Sequence, residues 1–188
     1  MGLARWSCKR EKGVVDTMDL RSVGRVGTML ATAAFVVLAT AGAAQARAIT
    51  APTSVNLGTV PSGATSISGQ MGTVTATDSG TLLLLPSFTA RVTVTTFTTG
   101  SGSASETIPR SAVSYWSGPA TATSGAQTPV PGQATAALAQ DLSTSRIAFS
   151  STGLVLSIST SWKPTVIVTI PAAAVAGTYT ATITHSVA

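Results

Sequence analysis

The sequence is poor in the residues that carry most protein chemistry: it has one cysteine, Cys8, one histidine, His185, and six acidic residues in 188. Cys8 lies near the start, so a domain beginning after residue 46 has neither a disulfide nor a thiol and must be held by packing. About 140 residues suffice for that, since a chain of this size buries roughly two thirds of its unfolded surface. One histidine without cysteines cannot make a zinc site, and no cofactor is expected. Beyond the first quarter the only acids are Asp78, Glu106 and Asp141, whereas glycoside hydrolysis needs two carboxyls facing each other across a sugar. Asp78, beside Ser79-Gly80, and Glu106, in a Gly/Ser-rich stretch, read as turn and surface residues. His185 shares its strand face with Tyr179, Ala181 and Ile183, which favours a packed ring over a catalytic base. With no Gly-rich phosphate loop, nucleophile elbow or paired-cysteine motif, the sequence is expected to be no enzyme.

The formal net charge of +5 is unevenly placed. Before Ala48 there are seven basic and three acidic residues; from Ala48 onward Arg91, Arg110, Arg146 and Lys163 stand against three acids. Four scattered cations supply no basic patch for phosphate neutralisation, so nucleic acid is excluded as a partner.

The uncharged run Thr28 to Ala44 follows Arg21 and Arg25 and ends in Ala44-Gln45-Ala46, the three-part pattern of a secretory signal. It is shorter and more diluted with Ala, Thr and Gly than the roughly 20 apolar residues of a spanning helix. Residues 1–46 are therefore expected to be a leader and 47–188 a single domain, with cleavage after Ala46 or, second, Ala48, and the membrane engaged only through the signal before cleavage. Met18 is the more conventional start.

Past the leader, β-branched and apolar residues alternate with Ser and Thr. Thr73 to Thr77 and Phe88 to Val94 read as half-buried strands; so do runs carrying Leu154, Leu156 and Ile158, then Val166, Val168 and Ile170, and a long last strand with Tyr179, Ala181, Ile183, His185 and Val187 on one face. Ile108 to Trp116 adds another, and Ser117 to Ala134, rich in Gly, Pro, Ser and Thr, reads as an exposed loop. Many short strands imply an all-β fold, an Ig-like antiparallel β-sandwich. The regular alternation argues against a Ser/Thr-rich disordered stalk. Trp116 and Trp162, each beside a turn, are the candidate site residues, as ligand-stacking platforms or as packing aromatics, with packing favoured.

Leu57-Gly58-Thr59-Val60, Val74-Thr75-Ala76-Thr77-Asp78, the strand ending at Phe97, Trp162-Lys163-Pro164-Thr165 and Pro171 through Gly177-Thr178-Tyr179 occur in an order that resembles the WxL-domain class of bacterial surface proteins. The likeness covers most of the segment after the leader. Phe88-Thr89-Ala90 and His185-Ser186-Val187 stand where that class has its two tryptophan motifs. The resemblance implies a β-rich extracellular domain that associates non-covalently with the cell wall, with peptidoglycan or other surface proteins as partners. The expected function is a non-enzymatic secreted or cell-surface module; the alternative is an assembling pilin-like or coat-like subunit, and the least favoured is a secreted hydrolase. The intact mass of the exported product should correspond to a chain beginning at Arg47 or Ile49, and a mass that retains Thr28 to Ala44 would contradict cleavage.

Overall fold

A computed structural model describes residues 4–9, as backbone, together with 46–80 and 85–188. The segment that carries the expected signal, within 10–45, lies outside the described residues. Seventeen strands are described: β1 (Ala4–Lys9), β2 (Ala46–Thr50), β3 (Ser54–Val60), β4 (Ser66–Gln70), β5 (Val74–Ser79), β6 (Ser87–Val94), β7 (Phe97–Thr98), β8 (Thr107–Ile108), β9 (Val113–Trp116), β10 (Ala120–Ser124), β11 (Gln127–Pro131), β12 (Gln140–Asp141), β13 (Arg146–Gly153), β14 (Ser157–Trp162), β15 (Thr165–Thr169), β16 (Thr178–Ala181) and β17 (Ile183–Val187). Three single 3-10 turns are the helical elements among the described residues. The all-β sandwich expected from alternation is the fold that forms.

Four small sheets join end to end into two layers. In one, β10-β14-β5-β2 continues into β12-β9-β15-β4, because β4 runs on to β5, β9 to β10 and β14 to β15 across the short breaks 71–73, 117–119 and 163–164. In the other, β11-β13-β6-β17 continues through β6 to β7 and through β17 back to β16, into β3-β1-β16-β7-β8. Pairings are antiparallel except β1 with β16. Pro119 and Pro164 fall in the breaks, where the missing N–H costs no ladder bond, and Pro129 and Pro131 lie on the edge strand β11.

Period-two alternation places the core. Val74 and Ala76 of β5, Phe88, Ala90, Val92 and Val94 of β6, Ile158 and Trp162 of β14, Val166 and Val168 of β15, and Tyr179 and Ala181 of β16 are all buried. On β13 the alternation slips: Ala148 and Phe149 are both buried, and the register against β6 shifts between Ile147 and Phe149. That bulge turns Phe149 inward and leaves Ile147 exposed.

Four expectations are corrected. Leu154 and Leu156 are not core residues of a strand: β13 ends at Gly153, and Leu154, Val155 and Leu156 form an exposed hairpin tip, Leu154 at 74 % exposure. The long last strand is broken at Thr182, whose N–H donates to Thr95 Oγ1, so that β16 and β17 serve different sheets. Ile108 to Trp116 is two short strands separated by the 3-10 turn Arg110–Ala112. The stretch Ser117 to Ala134 is no loop: β10 pairs with β14 and β11 with β13. Between them Gly125, at φ +81°, passes so close to the backbone that a Cβ would run into the Ser157 carbonyl oxygen.

Gln127 ties this region to both layers. Its Nε2 donates to the carbonyls of Ser124 and Ser159, and its Oε1 accepts from Ser151 Oγ of β13 and Thr160 Oγ1 of β14. Ser151 and Thr160 are buried, so the amide supplies what water cannot. Gln127→Ala should lower the unfolding free energy by about 1–3 kcal/mol, the cost of stranding the buried Thr160 hydroxyl, since Ser151 Oγ keeps the Thr128 carbonyl; denaturant titration measures this, and Gln127→Glu tests whether the amide N–H groups matter separately.

Candidate functional site

The residues singled out from the sequence converge only in part. Trp162, at the end of β14 rather than at the start of the next strand, is fully buried. Its ring stacks on Phe149 of the facing layer, with centroids 5.0 Å apart and planes inclined by 24°. Its Nε1–H donates to Tyr115 Oη at 3.3 Å, and Tyr115 Oη is in turn 3.2 Å from His185 Nε2. His185 meets Trp162 edge-on, centroids 6.4 Å apart. Indole can only donate, so the Tyr115 hydroxyl accepts from Trp162; its own buried proton has no acceptor in reach among the described residues other than His185 Nε2, which takes it. That assigns Nε2 as an acceptor and the ring as neutral, with its proton on Nδ1.

Burial pushes the His185 pKa down to about 4 and the Tyr115 phenol up. Such a histidine fills volume between the layers and satisfies a hydroxyl. No carboxylate hydrogen-bonds to it among the described residues.

Each acid has its own local task. Asp78, expected at a turn, is instead fully buried inside β5. Its Oδ2 accepts from the Ser87 N–H at 2.7 Å and faces Arg47 Nε at 3.5 Å, while Oδ1 has no hydrogen-bond partner. The alternation already put residue 78 on the Val74 and Ala76 face; what was missing is the cation, which comes from a strand at the leader boundary. Glu106 is a half-buried cap, its pKa drawn down to about 2 by the Ser103 backbone N–H and then the Ser101 hydroxyl. Asp141 is lowered by Ser143, whose hydroxyl and N–H both donate to Oδ1, and by Arg146, whose Nη2 lies 3.0 Å from Oδ2. Among the described residues no three His, Cys, Asp or Glu stand together as a metal site.

Trp116 is half-buried, its six-membered ring against Gly118. The arrangement that sequence reasoning missed is an open groove of about 430 Å³ whose polar lining includes Arg91, Gln133, Gln140, Arg146 and Ser150. Asp141 fixes Arg146 at one side, through Oδ2 and through its carbonyl, which accepts from Nε at 2.8 Å. Arg91 makes no ion pair among the described residues. Gln133 is 2 % exposed; its Nε2 donates to the Ile147 carbonyl, and its Oε1 is buried without a partner. The bulge on β13 and the β11 edge make this groove, and both lie in the stretch read as loop or across a slip of alternation.

The His185 pKa gives a directional test. Its folded value of about 4 lies below the usual 6.5, so the unfolded chain binds the extra proton first. Stability from this group is complete above pH 6.5 and declines as pH falls toward 4, by on the order of 1–3 kcal/mol. Denaturation between pH 7 and 4 should show that slope, and His185→Gln should flatten it while lowering stability at pH 7.

Searches against protein-family models, curated proteins and solved structures return no match to this chain.

Proposed function

We propose that this chain is exported and acts at the cell surface as a binding module, not a catalyst, with the cell wall as its anchoring surface. The observation that carries this is the groove. Two guanidinium groups, one of them without an ion pair among the described residues, share its lining with the side chains of Gln133, Gln140 and Ser150. Guanidinium pairs with carboxylates by charge-assisted hydrogen bonds, and the amide and hydroxyl side chains beside it suit hydroxyl and amide groups. Peptidoglycan offers carboxylate, hydroxyl and amide on one polymer. The β-rich sandwich agrees with the resemblance to wall-associated surface domains.

The histidine supports binding over hydrolysis, because it accepts from Tyr115 inside the aromatic cluster and is held neutral there. The pair of Arg47 with buried Asp78 bears on processing: cleavage after Ala46 keeps Arg47, whereas cleavage after Ala48 leaves a buried carboxyl without its cation. The first site is therefore the one the domain tolerates better.

Co-sedimentation with purified walls tests the proposal. The wild-type protein should pellet with them, and Arg91→Ala, an exposed change away from the core, should weaken retention about tenfold, the value of one charge-assisted bond. If both proteins stay in the supernatant, the wall is not the ligand; if both pellet equally, the groove is not the site.

A further inference from the structure

The strand β1 lies inside the segment that export would remove, yet it sits in the middle of a sheet. It pairs with β16 in parallel, Arg5 opposite Thr178 through Cys8 opposite Ala181. On its other edge it pairs antiparallel with β3, Ala4 opposite Val60 through Lys9 opposite Ser54. Among the described residues β3 has no other ladder partner. Removing residues 4–9 therefore leaves two facing edges with one strand missing between them, a gap of about 10 Å from the usual 4.7–4.9 Å spacing. Across it β3 and β16 cannot hydrogen-bond directly.

The edges are not free to close. Leu57 of β3 is seated on β4 so tightly that a Cβ at Gly69 would meet Leu57 Cδ2 at 2.8 Å. Tyr179 of β16 is buried and donates through its hydroxyl to the carbonyls of Val175 and Ser105. Moving either strand by a strand width would unseat partly buried Leu57 or buried Tyr179. At the Val60 end the slot runs into a small cavity of about 50 Å³ walled in part by Val60, Ile170, Ala174, Val175 and Tyr179.

We propose that in the exported domain this slot is filled by an extended strand from another polypeptide chain, running parallel to β16 and antiparallel to β3. The proposal rests on the export and processing put forward above. The occupant's chemistry follows from the edges: about six residues whose main chain bonds on both sides, uncharged and apolar at the two alternate positions in register with buried Tyr179 and Ala181. A further apolar residue at its Val60 end would reach the cavity. In the unprocessed chain β1 occupies the same place and keeps the two edges paired before export.

The test uses the exported protein recovered from cells, with its start fixed by intact mass, and the full chain purified without export. The probe is a synthetic peptide of Leu3 to Arg10, beside a peptide of the same composition in permuted order. The exported form should bind the first peptide saturably and the permuted one at least about tenfold more weakly. Amides of Ser54–Val60 and Thr178–Ala181 should exchange about tenfold more slowly once the peptide is bound, and the full chain, with its slot filled, should bind neither. A processed product that binds neither peptide, binds both alike, or already protects both edges when free overturns the slot. A product whose mass still includes residues 4–9 overturns the processing on which it rests, a result distinguishable from the others by mass alone.

Discussion

The stack of Phe149 on Trp162 is the contact on which the two layers depend. It stands where the first layer is interrupted between β14 and β15, so no continuous ladder carries the sheet across that point. A buried indole brings a large apolar surface to the break, but it also brings an N–H that must find an acceptor. Tyr115 supplies one, and its own hydroxyl proton then requires another acceptor, which His185 of the opposite layer provides. Three polar atoms are satisfied in one directed chain between layers, and the direction fixes the protonation of the imidazole. The single histidine of the sequence is accounted for by this need.

Scarcity of charge shapes the rest. With no disulfide in the domain and few ion pairs, polar groups that enter the interior are met by hydroxyls and primary amides. Gln127 uses both donors and both acceptor positions to join Ser124, Ser151, Ser159 and Thr160. A short neutral side chain would satisfy fewer of these, and a charged one would need a counter-ion the interior lacks. Gln133 is the contrasting case, an amide with one end tied to Ile147 and the other buried without a hydrogen-bond partner among the described residues. The same residue type satisfies every polar atom it meets at one position and leaves an acceptor buried and unmet at the other.

Much of the fold was legible because period-two alternation survives where one strand face is buried and the other solvated. Phe88, Ala90, Val92 and Val94 are buried as their spacing requires, as are Val166 and Val168. Leu154 and Leu156 kept the period and still lie outside, since alternation cannot tell a strand from a hairpin tip that presents the same residues to solvent. Ser117 to Ala134 hid two strands because both are edges, exposed along much of their length and rich in Pro, Gly, Ser and Thr, so composition pointed to a loop. The buried state of Trp162 followed from size and position, while the groove did not: its arginines are 55 residues apart in sequence, and Gln133 carries no pattern that distinguishes it from the surrounding polar residues.

The start of the domain is where these threads meet. Arg47, on the edge strand β2 nearest the leader, lies opposite buried Asp78, so the residue that directly follows the proposed cut is part of the folded electrostatics. A cut between Ala46 and Arg47 keeps that cation and removes β1; a cut after Ala48 removes both. On the proposed processing, a single bond therefore divides what the core needs from what the sheet can exchange. Asp78 requires a specific side chain held at 3.5 Å, which a passing partner cannot easily supply. The slot between β3 and β16 asks mainly for a main chain and two apolar residues, and any extended segment of that description can meet the demand. Covalent retention of Arg47 with strand replacement at β1 is the arrangement in which each requirement is met by the kind of interaction that suits it.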